Sequence, residues 1–467
     1  MPEYKCSVFI FRRDLRLDDN TGLLAAMRAS STIIPLFIFT PTQIAKNKFR
    51  SSNAIQFMIE SLEDLDQQIH ASNLNARLWT MYGDEVTVLK KIHNIIPYEA
   101  IFVNEDYTPY SIKRDIRIRK FAKEKKVSFF EHSDSLLLDT QEIKAKNGNY
   151  YKIFTQFYNN AINKKIRQPN YEMYDHFRKV PVEMKKYNIN NIKNFFLRKK
   201  WYEENPKLAI HGGRENGIMI LKGIKLFKNY DSIRNYPEFE TTHLSPHNKF
   251  GTLSIREVYN AFKKRAKNAE LCKQLYWRDF YYYICVHFPE TFEYNHLMKK
   301  TKRSLIWENN KNLLKAWKTA TTGFPIIDAA MTQMNNTGYM HNRCRMIVAM
   351  FLSKDLLVDW KYGEKYFTKK LVDIDRCQNI GNWNWSSSFG LDNTSFLRIF
   401  NPWTQSKEYD PNCIYIKKWL PELSGIPNEH IHNWYKFYDK YDVYSKPIVD
   451  HEIQRKKYLK FYKYYFG

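Results

Sequence analysis

Asp373-Ile-Asp-Arg-Cys-Gln-Asn-Ile-Gly-Asn-Trp-Asn-Trp385 packs two carboxylates, a lone amide at Asn379, a glycine and two indoles into one short run. Just upstream, Gly338 to Phe351 carries Asn342, Arg345 and Met346. Polar groups at this density are costly to bury unless something binds them. Read as a helix over Met340 to Phe351, Cys344, Ile347, Val348 and Phe351 fall at i, i+3, i+4 and i+7 and face a core, while Asn342, Arg345 and Met346 share another stripe. Arg345 close to Asp373 or Asp375 would be a paired charge at a polar ligand; the same pair at the surface would be a salt bridge of little weight. On a helix Trp383 and Trp385 lie about 200° apart, so one points into the protein while the other lines a cavity wall. Trp277, in Gln274-Leu-Tyr-Trp-Arg278, supplies a candidate opposite wall. Two indoles across a slot suit a planar guest, although for any single tryptophan core packing is the plainer reading.

The rest of the chain bounds what that guest can be. At 467 residues two domains are expected, each with its own core. A formal charge of +25, from 74 Lys and Arg against 49 acidic residues, favours a polyanionic partner, nucleic acid above all. No signal-peptide pattern opens the chain, and no apolar run approaches the roughly 18 residues that would span a bilayer. A soluble intracellular protein, in cytoplasm or nucleus and not secreted, is expected. The six cysteines show no CxxC pair and sit mostly in apolar patterns, so neither disulfides nor a metal site is expected.

Residues 1–130 alternate apolar runs with amphipathic stretches. Ser7 to Phe11, Ile33 to Phe39, Ala76 to Met81, Ala100 to Val103 and Val127 to Phe130 read as buried strands. Ile55, Met58, Ile59, Leu62, Leu65 and Ile69 repeat at helical spacing between them, as does a weaker run from Val86 to Ile95. That pattern is an α/β domain with a parallel five-stranded sheet. No G-x-G-x-x-G follows the first strand, so a dinucleotide site of the usual kind is not supported. Residues 131–210 are polar and mixed, and read as an interdomain connection. Residues 211–467 are dominated by helical periodicity, an all-α domain. Thr241 to Ser254 gathers hydroxyls, an amide and Gly251 before a helix start, which suits either a phosphate or simple capping.

Four motifs in combination carry a resemblance to the photolyase and cryptochrome flavoproteins, specifically class I cyclobutane pyrimidine dimer photolyases: FRRDLRLDDN (Phe11 to Asn20), TGFPIIDAAM (Thr322 to Met331), MHNRCRM (Met340 to Met346) and DIDRCQNIGNWNW (Asp373 to Trp385). The resemblance runs from about residue 5 to 460 and is thinnest over 160–210. It implies a Rossmann-like, antenna-type α/β domain followed by an all-α FAD-binding domain, and a monomeric lyase acting on UV-damaged DNA. Tyr230, Thr241, Thr242, Leu244 and Ser245 would hold the FAD phosphates and ribityl chain. Asn342, Arg345, Asp373 and Asp375 would surround the flavin, with Asn379 facing its reactive nitrogen. An amide there can offer its carbonyl to the N–H of reduced flavin. The family reaction is redox-neutral: photoexcited reduced FAD lends an electron to the dimer, the cyclobutane ring opens, and the electron returns. Trp277 and Trp385 would bracket the dimer, Asn342 and Met346 would contact it, and Arg234, Arg343 and Arg398 would engage the lesion strand. Trp307, Trp360 and Trp383 match the family's electron relay.

Relatives that repair (6-4) photoproducts usually have His where this chain has Asn342 and Met346, neither of which supplies a proton well. DASH-type cryptochromes usually carry Tyr at Trp385, and signalling cryptochromes commonly add a long tail, whereas this sequence stops at Gly467. A cyclobutane dimer enzyme is therefore expected, with a flavin photoreceptor, a (6-4) enzyme or a non-catalytic basic nucleic-acid-binding module as alternatives. One position departs from the pattern. Class I enzymes typically have Glu where Gln274 stands; Gln donates a hydrogen bond but gives up no proton, so lesion binding is expected to persist and splitting efficiency to fall. Asn104 to Tyr110 matches the antenna-domain pattern without choosing between a folate and a deazaflavin.

Overall fold

The computed structural model of the chain describes residues 2–172, 175–292, 305–390 and 397–466; the final Gly467, where the expected lack of a tail was read, lies outside them. Five short runs, the first four buried and the last half-buried, form a parallel sheet: β1 (Ser7–Phe11), β2 (Ile33–Phe39), β3 (Trp79–Tyr82), β4 (Ala100–Asn104) and β5 (Ser128–His132), in the order β3-β2-β1-β4-β5. Register is continuous, with Val8 opposite Ile34 on one side and Ile101 on the other. The crossovers run through α1 (Thr21–Ala29), α2 (Ser52–Ser72), α3 (Glu85–Ile95) and α4 (Pro109–Glu124). Caps fix where these begin: the side chains of Asn20, Ser51, Asp84 and Thr108 each accept a backbone N–H of the first turn.

Residues 131–210, expected to connect, also fill both cores. Phe177, Ile192, Phe196 and Tyr202 pack against the sheet, whereas Leu137, Phe154 and Phe157 pack among the helices, the last two from α5 (Phe154–Ala161). Polar composition hid this, because a few well-spaced aromatics are enough to anchor a segment.

The helices that matter for the site are α6 (Tyr230–Ile233), α7 (Ser245–Phe250), α8 (Ala269–His287), α9 (Asn342–Met350), α10 (Trp360–Lys370) and α11 (Arg376–Ser386). In α9, Cys344, Ile347 and Val348, with Phe351 just past its end, are buried at 1% exposure or less, as helical spacing requires. Helix α10 packs closely on α11, where a Cβ on Gly363 would come within 2.1 Å of the Trp383 ring. Among the described residues no helix is long and apolar enough to cross a membrane, no group of His, Cys, Asp and Glu could hold a metal ion, and all six cysteines are free.

Candidate functional site

The Phe11 to Asn20 motif leaves β1 and wraps onto the turn that ends α7. Leu15 N–H donates to the Phe250 carbonyl at 3.1 Å and the Arg16 guanidinium to that of Gly251 at 3.1 Å. Gly251 has φ +64, and a Cβ there would sit 2.1 Å from the Arg13 carbonyl oxygen, so only glycine lets the two segments meet. Beyond this contact lies a buried ionic network. Asp134 accepts from Arg16 at 2.7 Å and from Arg256 at 2.7 Å, and Arg256 reaches Asp19 at 2.6 Å, all four side chains being at most 4% exposed. Burial alone would push the Asp134 carboxyl up; the two guanidiniums outweigh it and hold the group far below the usual carboxylate range.

Arg13, from the same motif, pairs with Asp375 across the seam, and Tyr282 donates its hydroxyl to the same carboxylate at 2.5 Å. Asp375 also caps α11, accepting from Gln378 N–H at 3.1 Å. Although burial raises it, the Arg13 charge and the Tyr282 hydroxyl pull the Asp375 carboxyl down to about 2. Arg345 therefore takes the other candidate partner: it forks onto Asp373 at 2.9 and 3.2 Å, and its Nε donates to the Met340 carbonyl at 2.8 Å. Asp373 in turn accepts from the Ser245 hydroxyl at 2.7 Å, and Thr241 shares a hydrogen bond with the Tyr339 hydroxyl at 3.1 Å. One polar chain thus links Ser245, Asp373 and Arg345. Thr242 lies half-buried beside it and Leu244 is buried at the start of α7.

Asn379 is held from behind. Its amide NH2 lies 2.9 Å from the Glu364 carboxylate and 3.1 Å from both the Glu364 carbonyl and the Thr368 hydroxyl. All three are acceptors for that NH2, so the amide orientation follows from chemistry and its carbonyl oxygen faces away from α10. Neither Glu364 nor Thr368 was singled out from sequence; their i, i+4 spacing on α10, opposite a lone Asn, was the available signal.

The indoles divide as the helical angle requires. Trp383 is 2% exposed, Trp385 is half-buried, and the exposed Arg398 guanidinium stands 5.9 Å over the Trp385 ring. Trp277 is half-buried on α8 and stacks flat on Phe154 at 3.5 Å, so one of its faces is already covered and only the other is left for a guest. Tyr281, one turn on, donates to the Asn382 side chain at 2.9 Å and ties α8 to α11. Asn342 is exposed at the start of α9, and Met346 is half-buried one turn later. Arg343 donates to Asn235 at 2.8 Å and lies 4.0 Å over the Tyr409 ring. Gln274 donates to Glu270, which also pairs with Arg234; Tyr230 is half-buried on α6 beside them. Trp360 opens α10 at 1% exposure, one turn before the Gly363 that admits the Trp383 ring, and Trp307 packs on Phe389 and Phe461.

Buried polar atoms without a partner recur on these helices: Asn248 Oδ1 on α7, Arg343 Nε on α9 and Asn384 Oδ1 on α11. Orphaned groups of this kind are expected where a polar cofactor completes the site. A cavity of about 410 Å³ opens at the carboxyl ends of β1 and β2, lined among others by Phe39, Thr40, Asp106, Tyr110 and Lys249, and reaching Glu364, Thr368 and Asp375. This is where a doubly wound sheet places a ligand.

Sequence comparison decides what this architecture is. The family described as FAD binding domain of DNA photolyase matches residues 271–464, and that described as DNA photolyase matches residues 7–173. The chain belongs to the DNA photolyase family. It is 33% identical over 480 residues to the deoxyribodipyrimidine photo-lyase of Alkalihalophilus pseudofirmus, covering 97% of each chain. With that of Escherichia coli it shares 32% over 475 residues, again 97% of each. Its fold matches a solved archaeal photolyase from Sulfolobus tokodaii, which holds two FAD molecules, with a TM-score of 0.86 and 38% identity over 98% of this chain and 99% of that one.

Proposed function

We propose that this chain repairs cyclobutane pyrimidine dimers in DNA under blue light. Residues 1–130 serve as the antenna-type domain, 131–210 as the connection and 211–467 as the FAD-binding catalytic domain. FAD, bound in reduced form, supplies the electron that opens the cyclobutane ring and takes it back. Everything else falls to the protein. Thr241, Thr242, Leu244, Ser245 and Tyr230 hold the phosphates and ribityl chain, while Arg345, Asp373, Asp375 and Asn342 surround the ring system. The observation that carries the reading is Asn379: its NH2 is consumed by Glu364 and Thr368, which leaves a carbonyl acceptor suited to the N–H that the radical and reduced forms of the cofactor carry at the reactive nitrogen and the oxidised form lacks. Trp277, backed by Phe154, and Trp385 hold the extruded dimer, with Asn342 and Met346 against it. Arg234, Arg343 and Arg398 meet the strand's phosphates. Trp383, Trp360 and Trp307 relay electrons that restore the reduced state.

The cavity at the carboxyl ends of β1 and β2 takes a second, light-harvesting chromophore, a folate, a deazaflavin or a second flavin, a use supported by the two FAD molecules in the archaeal relative. The protein acts as a monomer inside the cell. The decisive assay incubates FAD-loaded protein with a thymine-dimer oligonucleotide: dimers are expected to disappear under blue light and persist in darkness. Persistence under both conditions would count against repair and for a photoreceptor. Binding is expected to weaken steeply with salt, because the +25 charge acts through phosphate contacts.

A further inference from the structure

Lys354 is fully buried in the π-helical turn Phe351–Asp355 that continues α9. Its ammonium donates to the Ser388 hydroxyl at 2.9 Å and to the Arg398 backbone carbonyl. Both partners are neutral, so they offset only part of what removing this charge from water costs. Burial pushes the Lys354 ammonium down to about 7, against the pull of neighbouring Asp355 and with the push of the Arg398 charge. The remaining groups that face it come from α12 (His451–Phe466): the Tyr458 ring, 5.8 Å from Nζ, and behind Asp355 its partner His451 at 2.5 Å, with Glu452 beyond. Nothing in the repair chemistry uses this lysine, and an apolar side chain would be less costly to bury there.

What the ammonium holds is one side of the aromatic slot. Ser388, with φ +64, gives its N–H to the Trp385 carbonyl at 3.0 Å, and the Tyr458 hydroxyl donates to the Ser387 carbonyl at 3.1 Å, so the turn after Trp385 is fixed. Lys354 ties the Arg398 backbone to that turn, and the Arg398 guanidinium stands 5.9 Å over the Trp385 ring. We propose that Lys354 is a positioning residue that fixes Arg398 over Trp385 and so sets the grip on the damaged strand without touching it. The proposal rests on Trp385 and Arg398 meeting that strand. A hydrogen bond from an ammonium is about twice as strong as one from a neutral amine, so the anchor is firm while Lys354 is protonated and slackens when it is not. Grip and stability therefore respond to pH in opposite directions. The folded value lies below the ordinary lysine pKa near 10.4, so the unfolded chain holds the proton more tightly and this group makes the fold more stable as pH climbs above 7. Preference for the damaged strand falls over the same range.

The test is binding of FAD-loaded protein, in darkness, to fluorescent oligonucleotides with and without one thymine dimer, read as the ratio of the two affinities. It runs from about pH 6.5 to about pH 8.5, above Asp355, which burial lifts to about 6. The wild-type ratio should fall about threefold across that window, the difference between a charged and a neutral donor. Lys354→Met fills the space without donating; it should lower the ratio about fivefold at pH 6.5 and abolish the pH dependence, with an unfolding midpoint at or above the wild type's. In an Arg398→Ala background the ratio should be flat with pH, and Lys354→Met should lower it by less than about twofold, because the group being positioned is gone. A flat wild-type ratio overturns the anchor, and this arm needs no variant to fold. So does a Lys354→Met protein that binds as the wild type does, that loses as much in the Arg398→Ala background, or that loses midpoint and both affinities together, the mark of a merely structural residue. Arg398→Ala with the wild-type ratio would overturn the reading of Arg398 itself; a lowered ratio there beside an unmoved Lys354→Met overturns the anchor alone.

Discussion

The seam between sheet and helices and the aromatic slot on the helical half are both lined by polar side chains, yet their hydrogen bonds are spent differently. At the seam charge is answered by charge: Arg16, Asp134, Arg256 and Asp19 close a network at 4% exposure or less. Around the slot, groups are fixed from one side and left open on the other. Asn379 is gripped by α10 through its NH2, Trp277 is backed by Phe154, and Gln274 is turned by Glu270. Saturated polar groups hold a structure together; half-saturated, oriented ones are poised for a guest. Substitutions at the two places should therefore fail differently, the first in stability and the second in binding.

The seam gives the largest effect. Asp134→Ala strands the buried Arg16 guanidinium and leaves Arg256 with Asp19 alone, and removing one partner of a buried ionic network costs about 3–5 kcal/mol. Chemical denaturation should show this loss, and flavin content should fall with it. If Asp134→Ala unfolded at the wild-type midpoint, the seam would not be what joins the halves.

In the slot the effect should be confined to the damaged strand. Stacking on an aromatic side chain contributes about 1–3 kcal/mol per base. Trp277→Ala is expected near the top of that range and Trp385→Ala near the bottom, since Trp277 is held flat against Phe154 whereas Trp385 has Arg398 at 5.9 Å over its ring. Dimer binding is the readout, with thermal midpoints close to wild type. Equal losses from the two variants would remove the argument from preorganisation.

Much of the seam's setting was legible in sequence, and little of its wiring. The runs Ser7–Phe11 and Ile33–Phe39 were read at their observed bounds, because unbroken apolar stretches between charged or turn residues have few alternatives as strands. Ala76 to Met81 was read as a strand that begins only at Trp79: Ala76 and Leu78 are buried without pairing, and burial is what an apolar pattern reports. Helical spacing also separated Trp383 from Trp385. The Arg13–Asp375 pair joins residues 362 apart, a distance over which no local pattern carries information. The choice between Asp373 and Asp375 as the partner of Arg345 was open for the same reason. Phe154 behind Trp277 was hidden in a stretch whose polar average pointed to a connection.

Acid should weaken the seam in a defined window. Asp375, brought down to about 2 by Arg13 and Tyr282 against the opposing pull of burial, has a folded value below its unfolded one. Its contribution is complete above the ordinary carboxylate pKa near 4 and is lost as pH falls toward 2. The loss should reach about 1 kcal/mol by pH 3. Asp375→Asn removes this titration, so the wild type should lose more stability than the variant between pH 5 and pH 3. Parallel curves would mean that the Arg13 pair does not discriminate between folded and unfolded chains.

The smallest effect comes from charge without burial. Lys193 and Glu204 pair at 2.7 Å, a geometry as good as any at the seam, but their side chains are 43% and 46% exposed. Water screens the pair, and holding two long side chains together costs rotamer freedom, so Lys193→Ala should shift the unfolding midpoint by no more than about 0.5 kcal/mol. Set beside Asp134→Ala, this substitution separates distance from environment: the ion-pair lengths are nearly the same, and only the solvent differs. A loss comparable to that at Asp134 would mean that pairing itself stabilises this strongly basic chain, and that the seam owes its strength to charge count and not to burial.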